Sequence, residues 1–260
     1  MLKNIYRALI ELTNHRASSL LVQKFATSRI SALLIPSYAQ IFKINQDEME
    51  KSLRSYPTLH DLFIRTLKEE ARPIDESTSS LVSPVDAKVE ECGRILPSKE
   101  IIVKNKRYSI QEMVGNDEVL HKYIDGEFVI LYLSPKDYHR IHSPISGSIV
   151  QTWTLGNKSY PVNQAGLKYG KDPLIKNYRQ LTEVQHSSGH VLMVKVGAMF
   201  INSIERMHES NQLIKGQEMA YFTFGSTVIL LFEKDTIQLS SHIKQDQLVK
   251  VGERIGTLSL

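Results

Sequence analysis

Residues 222–232 read Phe-Thr-Phe-Gly-Ser-Thr-Val-Ile-Leu-Leu-Phe, an apolar stretch that Gly225 and Ser226 interrupt. The continuous part, residues 228–232, is typical of a strand buried on both faces of a sheet. Residues 128–133 have the same character and predict a second such strand. Since a strand of this kind must lie inside a sheet, we expect the chain to fold around a β core.

Other segments extend this pattern outward. Branched and aromatic residues bounded by turn signals predict strands at residues 100–103, 107–110, 127–133, 147–153, 190–196 and 227–232. Thr58 and Asp61 resemble a capping box and predict the start of a short helix. We therefore predict an α+β, mainly β protein, with a single β-rich catalytic domain at residues 45–260 after an amphipathic helical extension at residues 1–44.

The composition is that of a folded protein. Of the 260 residues, 42% are hydrophobic and 23% are charged, which excludes disordered and low-complexity classes. The single cysteine, Cys92, excludes an internal disulfide and a zinc site built from cysteines. We expect it to be a half-buried small apolar residue in a protein of a reducing compartment.

The net charge of +4 is unevenly distributed. Residues 1–44 hold six basic side chains and one acidic side chain, which leaves 26 basic against 27 acidic in the rest of the chain. A basic excess confined to one segment does not predict a surface for nucleic acid, so none is expected as a partner.

The basic N-terminal segment is also amphipathic. Apolar residues recur at helical spacing from Leu2 to Ile10, further apolar clusters follow at residues 20–25 and 30–35, and Pro36 is expected to end the last one. No run approaches the roughly 20 apolar residues that span a bilayer, and no signal peptide is recognisable. The pattern fits an interfacial membrane anchor, and it equally fits helices that pack on the core.

Reactive side chains concentrate in three segments, residues 83–87, 132–144 and 222–228. Alone, Asp86 is typical of a turn. Gly225-Ser226 is typical of a β-bulge, or of a strained peptide bond that the serine hydroxyl can attack. His139 and His142 would share a face on a helical turn, but a third metal ligand is missing, so no metal is predicted. Together, Asp86, His142 and Ser226 predict a constellation in which histidine activates the hydroxyl and aspartate orients the histidine.

In these and other segments the chain resembles phosphatidylserine decarboxylase of the bacterial type over nearly its whole length. The resemblance lies in the order and spacing of residues 62–65, 71–75, 83–86, 132–144, 156–163, 196–198, 215–219 and 224–228. The chain departs from the usual glycine at Ala87, Asn202 and Ala220, and because each change adds a side chain near a turn or a close backbone approach, we expect the local geometry to differ there. None of these departures falls on a reactive position.

The resemblance implies that the chain cleaves itself between Gly225 and Ser226. His142, oriented by Asp86, takes the Ser226 proton, and the alkoxide attacks the Gly225 carbonyl. Elimination and hydrolysis then give a β chain, residues 1–225, and an α chain, residues 226–260, whose first residue is a pyruvoyl group.

The resemblance further implies that the pyruvoyl cofactor forms a Schiff base with phosphatidylserine and releases carbon dioxide to give phosphatidylethanolamine. His139 is the candidate acid that protonates the carbanion. The substrate lies in an anionic membrane surface, which favours the membrane interpretation of the N-terminal segment. We expect a peripheral protein on the cytoplasmic face of the cell membrane, and the resemblance alone implies a homodimer.

Two other functions remain open at this point. Asp86, His142 and Ser226 also suit a membrane-associated serine hydrolase. The Gly-x-Ser-x-Gly motif of common lipases is absent, however, because Thr227 and Val228 follow Ser226. A non-catalytic membrane-binding β-domain is the second. Only the decarboxylase requires two polypeptide fragments.

Overall fold

The computed structural model describes residues 21, 23–198, 204–207, 210–223 and 226–259. Antiparallel sheets dominate these residues and the helices are short. The predicted α+β, mainly β class is confirmed.

The described helices and strands follow one another in this way. The α-helices are α1 (Ile35–Phe42), α2 (Leu59–Phe63), α3 (Ile110–Val114), α4 (Asp117–Tyr123), α5 (Gln164–Tyr169) and α6 (Pro173–Lys176), and 3-10 helices cover Arg29–Leu34, Leu53–Ser55 and Glu69–Ala71. The strands are β1 (Ser80–Val82), β2 (Ala87–Arg94), β3 (Glu100–Val103), β4 (Lys106–Ser109), β5 (Glu127–Leu133), β6 (Arg140–His142), β7 (Gly147–Leu155), β8 (Arg179–His186), β9 (Gly189–Gly197), β10 (Ile204–Arg206), β11 (Gln212–Leu213), β12 (Glu218–Phe222), β13 (Ser226–Phe232), β14 (Ile237–Leu239), β15 (Leu248–Val249) and β16 (Arg254–Leu258).

An eight-stranded sheet forms the centre of the molecule, in the order β11-β7-β8-β9-β13-β5-β2-β15. Every residue of β13 is buried, as the apolar run predicts. Because side chains alternate along a strand, Val228 and Leu230 enter one apolar core and Ile229 and Leu231 enter the other. The two cores hold the sheet from both sides.

Smaller sheets pack around this centre. Strand β6 pairs with β12, and β12 pairs with β10, so the histidine segment is attached to the strand that leads toward Ser226. Strands β1, β16 and β14 form another sheet, and β3 pairs with β4 as a hairpin. This arrangement brings segments distant in sequence to one region.

Most predicted strands agree with the observed ones. Residues 100–103 and 127–133 match β3 and β5, while the other four segments differ only at their ends. Thr58 caps α2 as predicted, since its hydroxyl accepts the backbone N–H of Asp61 at 3.1 Å. Cys92 is half-buried, as expected.

One boundary prediction is wrong. Pro36 does not end the helical segment but lies in the first turn of α1, directly after the 3-10 helix Arg29–Leu34. A proline is tolerated there because the first backbone N–H groups of a helix have no partner within it.

The helices of residues 29–63 share a third apolar core. It contains Ile35 and Ala39 from α1 together with Met49 and Leu62, so it includes residues on both sides of position 44. The segment from Leu2 to Ile10 lies outside the described residues, and the domain boundary at residue 44 stays a prediction. Within the described part of the chain, no helix is long and apolar enough to cross a bilayer.

Candidate active site

Strand register brings Asp86 and Ser226 to one end of the central sheet. Ser226, the first residue of β13, pairs with Gly197 at the end of β9 and with Leu133 at the end of β5. Asp86 directly precedes β2, whose Lys88 pairs with Tyr132 of β5. Neighbouring strands are about 4.8 Å apart, so the backbones of Asp86 and Ser226 are separated by roughly two strand spacings.

The Ser226 side chain is fully buried. Its exposed fraction is 0%, and its Oγ has no hydrogen-bond partner among the described residues. An unpaired buried hydroxyl costs about 1–3 kcal/mol, so the presence of two of them, Ser226 and Thr227, at the start of a buried strand needs an explanation. Gly225 lies outside the described residues, so the Ser226 hydroxyl is the half of the predicted cleavage site that can be described.

His142 is held in one tautomer by a backbone carbonyl. Its Nδ1 lies 2.8 Å from the Gly216 oxygen. Because a carbonyl only accepts hydrogen bonds, Nδ1 carries the proton and Nε2 keeps its lone pair. The Tyr138 hydroxyl lies 3.4 Å from that Nε2. The half-buried ring is therefore in the form that a general base requires.

The electrostatic surroundings of His142 favour its neutral form. Burial is the largest influence and lowers its pKa, while the Gly216 carbonyl and the charges of Glu218 and Asp86 act in the opposite direction. The ring can thus accept a proton, and nearby carboxylates stabilise the imidazolium that results.

Asp86 lies in a different set of hydrogen bonds from His142. It accepts from Arg72 Nε at 2.8 Å and from the Val251 N–H at 2.9 Å, and Arg72 Nη2 also contacts Glu48 at 2.9 Å. Among the described contacts, no hydrogen bond joins Asp86 to His142. The backbone N–H of His142 donates to the Pro84 carbonyl at 2.8 Å, so His142 lies beside the segment that carries Asp86. No hydrogen bond among the described residues links Asp86, His142 and Ser226 into a chain.

His139 is more deeply buried than His142. It is 1% exposed, its ring centroid lies 3.9 Å from that of Phe63, and its Nδ1 lies 2.9 Å from the Asp137 oxygen. Its Nε2 has no partner within the described residues. Burial, followed by the charge of Arg65, lowers the pKa of His139 to about 3. At neutral pH this imidazole is uncharged, and its Nε2 carries a lone pair.

The expected geometry of the two histidines is wrong. His142 lies in strand β6 and His139 directly precedes it, so they do not lie on a helical turn. In extended backbone, side chains three positions apart point to opposite faces. The His139 carbonyl accepts the N–H of Phe222 at 3.0 Å, whereas His142 pairs with Glu218. His139 therefore lies opposite Phe222, the end of β12 that leads to Ser226, and His142 lies opposite Glu218, the other end of that strand.

A cavity of about 240 Å³ adjoins these residues and opens to solvent. Asp86, Arg72 and Tyr138 lie on its wall together with Arg65. Sequence analysis did not single out Arg65, Arg72 or Tyr138, although all three lie inside the segments that carry the family resemblance. Within the described residues, no cluster of three or more histidine, cysteine or acidic side chains is arranged to hold a metal ion.

Exposed apolar side chains concentrate near the N-terminus of the described chain. Of the eleven large ones, six lie between residues 21 and 41, and Leu33 is 80% exposed. The six are Leu21, Phe25, Ile30, Leu33, Leu34 and Ile41. This face is connected to the site, because the Tyr38 hydroxyl of α1 contacts the Pro135 oxygen at 3.4 Å in the loop that leads to His139.

Comparison with known proteins identifies the family. The model of the phosphatidylserine decarboxylase family matches residues 59–257. The chain is 61% identical to the phosphatidylserine decarboxylase proenzyme of Geobacillus sp. (strain WCH70) over 258 residues, which cover 99% of this chain and 100% of that protein. It is 55% identical to the phosphatidylserine decarboxylase proenzyme of Bacillus thuringiensis (strain Al Hakam) over 257 residues, 99% of this chain and 98% of that protein. The chain therefore belongs to the phosphatidylserine decarboxylase family.

Proposed function

We propose that this chain is a phosphatidylserine decarboxylase that makes its own pyruvoyl group by breaking the bond between Gly225 and Ser226. The observation that carries the proposal is the buried Ser226 hydroxyl, which has no partner among the described residues. Two imidazoles whose Nδ1 atoms bond backbone carbonyls leave their Nε2 lone pairs available, and both lie in the segment that pairs with β12, the strand before Ser226. The relatives are named proenzymes, which agrees with a chain that is processed.

In the proposed maturation, His142 Nε2 takes the Ser226 hydroxyl proton. The alkoxide attacks the Gly225 carbonyl, and the proton passes to the Ser226 nitrogen as the amide becomes an ester. Loss of the Ser226 α-proton expels the Gly225 carboxylate, and hydrolysis of the remaining imine releases ammonia. Asp86 assists through its charge, which favours the protonated form of His142.

The proposed decarboxylation then uses the new carbonyl. The pyruvoyl group would supply an electrophilic carbonyl that condenses with the substrate amine and withdraws electrons as carbon dioxide leaves. With the negatively charged substrate bound beside it, which would raise its pKa, His139 Nε2 takes a proton that is released at the amine and returns it to the carbon that lost the carboxylate. The apolar surroundings of His139, including Phe63, favour the loss of a charged carboxylate.

The membrane is the proposed location of the substrate. The exposed apolar side chains of residues 21–41 would enter the interface of an anionic leaflet, where the adjacent basic residues are favourable. Because Tyr38 joins this segment to the loop before His139, a lipid headgroup would reach the site without leaving the surface. We therefore propose a peripheral protein on the cytoplasmic face of the cell membrane. A homodimer is proposed from the family resemblance alone.

Intact-mass measurement of purified protein tests the self-cleavage. We expect two species, residues 1–225 and 226–260, the shorter blocked to Edman degradation. Ser226→Ala should give one uncleaved chain without decarboxylase activity. Thr227→Ala is the matched control, because Thr227 is equally buried and its hydroxyl is also unpaired within the described residues, but it lies on the opposite face of β13.

The alternatives give different results in the same experiment. A serine hydrolase would remain one chain, lose esterase activity on Ser226→Ala and show no release of carbon dioxide. A binding module would show no activity that depends on Ser226. Active decarboxylase isolated as a single polypeptide with an unmodified serine would refute the proposal.

Point substitutions test the membrane segment better than deletion. Removing residues 1–35 should release the protein from membranes, but it would also remove Ser31, whose buried hydroxyl accepts the Leu59 N–H at 2.9 Å. Leu33→Asp combined with Ile41→Asp keeps that contact and should reduce sedimentation with anionic vesicles by about tenfold or more. Val150→Asp, at an exposed apolar position on β7, should have no effect. Undiminished sedimentation of the double variant would exclude this face as the anchor.

A further inference from the structure

Arg65 carries a buried charge that the rest of the described structure leaves largely unpaired. The residue is 5% exposed, and only its Nη2 is bonded, at 2.7 Å to the Lys136 oxygen and at 3.2 Å to the Asp137 oxygen. Its Nε and Nη1 are buried and have no partner among the described residues. Burying a charge without full pairing is costly, so an arginine in this state points to an anion that binds there.

The neighbouring charged groups are engaged elsewhere. Arg65 faces the same 240 Å³ cavity as Arg72, but Arg72 is neutralised by Asp86 and Glu48. The Asp137 carboxylate accepts from the Ser134 hydroxyl and N–H, both at 2.7 Å. Among the described ion pairs, none involves Arg65. Exposed Lys43 and Lys136 stand at the wall of the cavity and add positive charge where an anion would enter.

We propose that Arg65 binds the phosphodiester of the substrate headgroup, an inference that rests on the proposed decarboxylase function. The unpaired N–H donors on Nε and Nη1 of Arg65 suit phosphate and carboxylate oxygens alike. The substrate carboxylate is the less suitable ligand, because a buried cation would stabilise the charged reactant more than a transition state that is losing this charge. The phosphodiester keeps its charge throughout the reaction.

The position of Arg65 relative to His139 agrees with this assignment. The Asp137 carbonyl accepts both from Arg65 Nη2, at 3.2 Å, and from His139 Nδ1, at 2.9 Å. A phosphate bound at Arg65 would therefore place the attached serine beside the imidazole that handles protons. The cavity is smaller than the roughly 300–1,000 Å³ of sites for whole small molecules, which suits a headgroup whose acyl chains stay outside.

The acyl chains, phosphate and serine of the lipid follow one another in the same order as the protein groups proposed to bind them. Arg65 lies near Tyr38 of α1, and α1 also carries the exposed Ile41. The proposed arrangement is acyl chains at the exposed apolar face, phosphate at Arg65 and serine at His139. This is the order in which these groups follow one another in a phospholipid.

Binding to the uncleaved Ser226→Ala chain tests the inference separately from the chemistry. Titration calorimetry would use glycerophosphoserine, glycerophosphoethanolamine, inorganic phosphate and free serine as probes. We expect both diesters to bind and Arg65→Gln to weaken them by about tenfold to a hundredfold, with partial recovery in Arg65→Lys. Arg107→Gln removes an exposed arginine and is the matched control.

In the protein with Ser226, Arg65→Lys should raise the KM for dispersed phosphatidylserine more than it changes kcat, while self-cleavage continues. Self-cleavage and an unchanged melting temperature show that the variant is folded. Diester binding that is equal with and without Arg65 would overturn the inference. Dependence on Arg65 for free serine but not for the diesters would assign a carboxylate subsite instead, and tighter binding of inorganic phosphate than of both diesters would assign a free-phosphate site. If the protein with Ser226 stays uncleaved, the proposed function fails, whereas the Ser226→Ala titrations still decide the role of Arg65.

Discussion

Two buried polar regions of the central sheet differ in how their groups are paired. Glu183 of β8 is 0% exposed, yet its Oε1 accepts from Lys122 and Tyr123 at 3.0 Å and its Oε2 accepts from Gln151 at 2.9 Å. Burial alone would raise the pKa of Glu183, but these hydrogen bonds outweigh it and lower the pKa. The carboxylate is fully paired and holds α4 against the sheet.

Near the Ser226 end of the sheet, by contrast, buried polar groups lack hydrogen-bond partners. The Ser226 hydroxyl, His139 Nε2 and two Arg65 nitrogens are buried without partners among the described residues. Paired buried groups stabilise a fold, whereas unpaired ones cost stability and tend to be kept for chemistry or binding. The comparison therefore distinguishes a structural polar cluster from the region where we propose chemistry and binding.

The largest effect is expected at His142. His142→Ala should slow self-cleavage about 10²–10⁴-fold, because it removes the proposed base, and the intact chain should accumulate. The measurement is the rate at which full-length protein disappears after synthesis. His190→Ala is the control, since His190 pairs with Glu233 near the start of β9, far from the Gly197 end. Equal cleavage rates for His142→Ala and the parent chain would show that His142 is not the base.

The second effect concerns the paired cluster. Glu183→Leu should lower the free energy of unfolding by about 3 kcal/mol, because Tyr123 and Gln151 lose their acceptor. Urea unfolding in the Ser226→Ala background measures this on a single uncleaved chain. Glu100→Leu, which removes the partner of exposed Arg107, should cost less than about 1 kcal/mol.

The Glu183→Leu chain with Ser226 intact should still cleave fully at a temperature where it is folded. Loss of cleavage in a demonstrably folded Glu183→Leu protein would show that the Glu183 cluster also takes part in self-cleavage and is not purely structural.

The smallest effect is the pH dependence contributed by His139. Its folded pKa of about 3 lies well below the value of about 6.5 for an exposed histidine. Between these values the unfolded chain binds more protons, so its contribution to stability is complete above pH 6.5 and decreases as the pH falls. Between pH 7 and pH 5, His139→Gln should therefore lose roughly 1–2 kcal/mol less stability than the parent. Parallel curves for the two proteins would show that His139 is not buried in its neutral form.

Local patterns predicted much of the framework. The apolar runs that became β5 and β13, the strand β3 and the cap at Thr58 depend on side chains near one another in sequence. Strands β2 and β8 were not predicted, because residues such as Lys88, Glu90 and Glu183 interrupt the apolar pattern. Their charges are tolerated there through ion pairs with residues of the same sheet and of neighbouring segments.

The sequence by itself determined the mainly β class, the apolar strands at the centre and the reactive residues Asp86, His139, His142 and Ser226 as candidates, since hydrophobicity and chemical type belong to each residue. Only the tertiary structure decided their partners. His142 is oriented by a carbonyl 74 positions further along the chain, and Arg65 is bonded 71 positions away. Such contacts follow from strand pairing and packing between distant segments, which no local pattern contains. The same long-range packing decides which buried polar groups have hydrogen-bond partners and which do not.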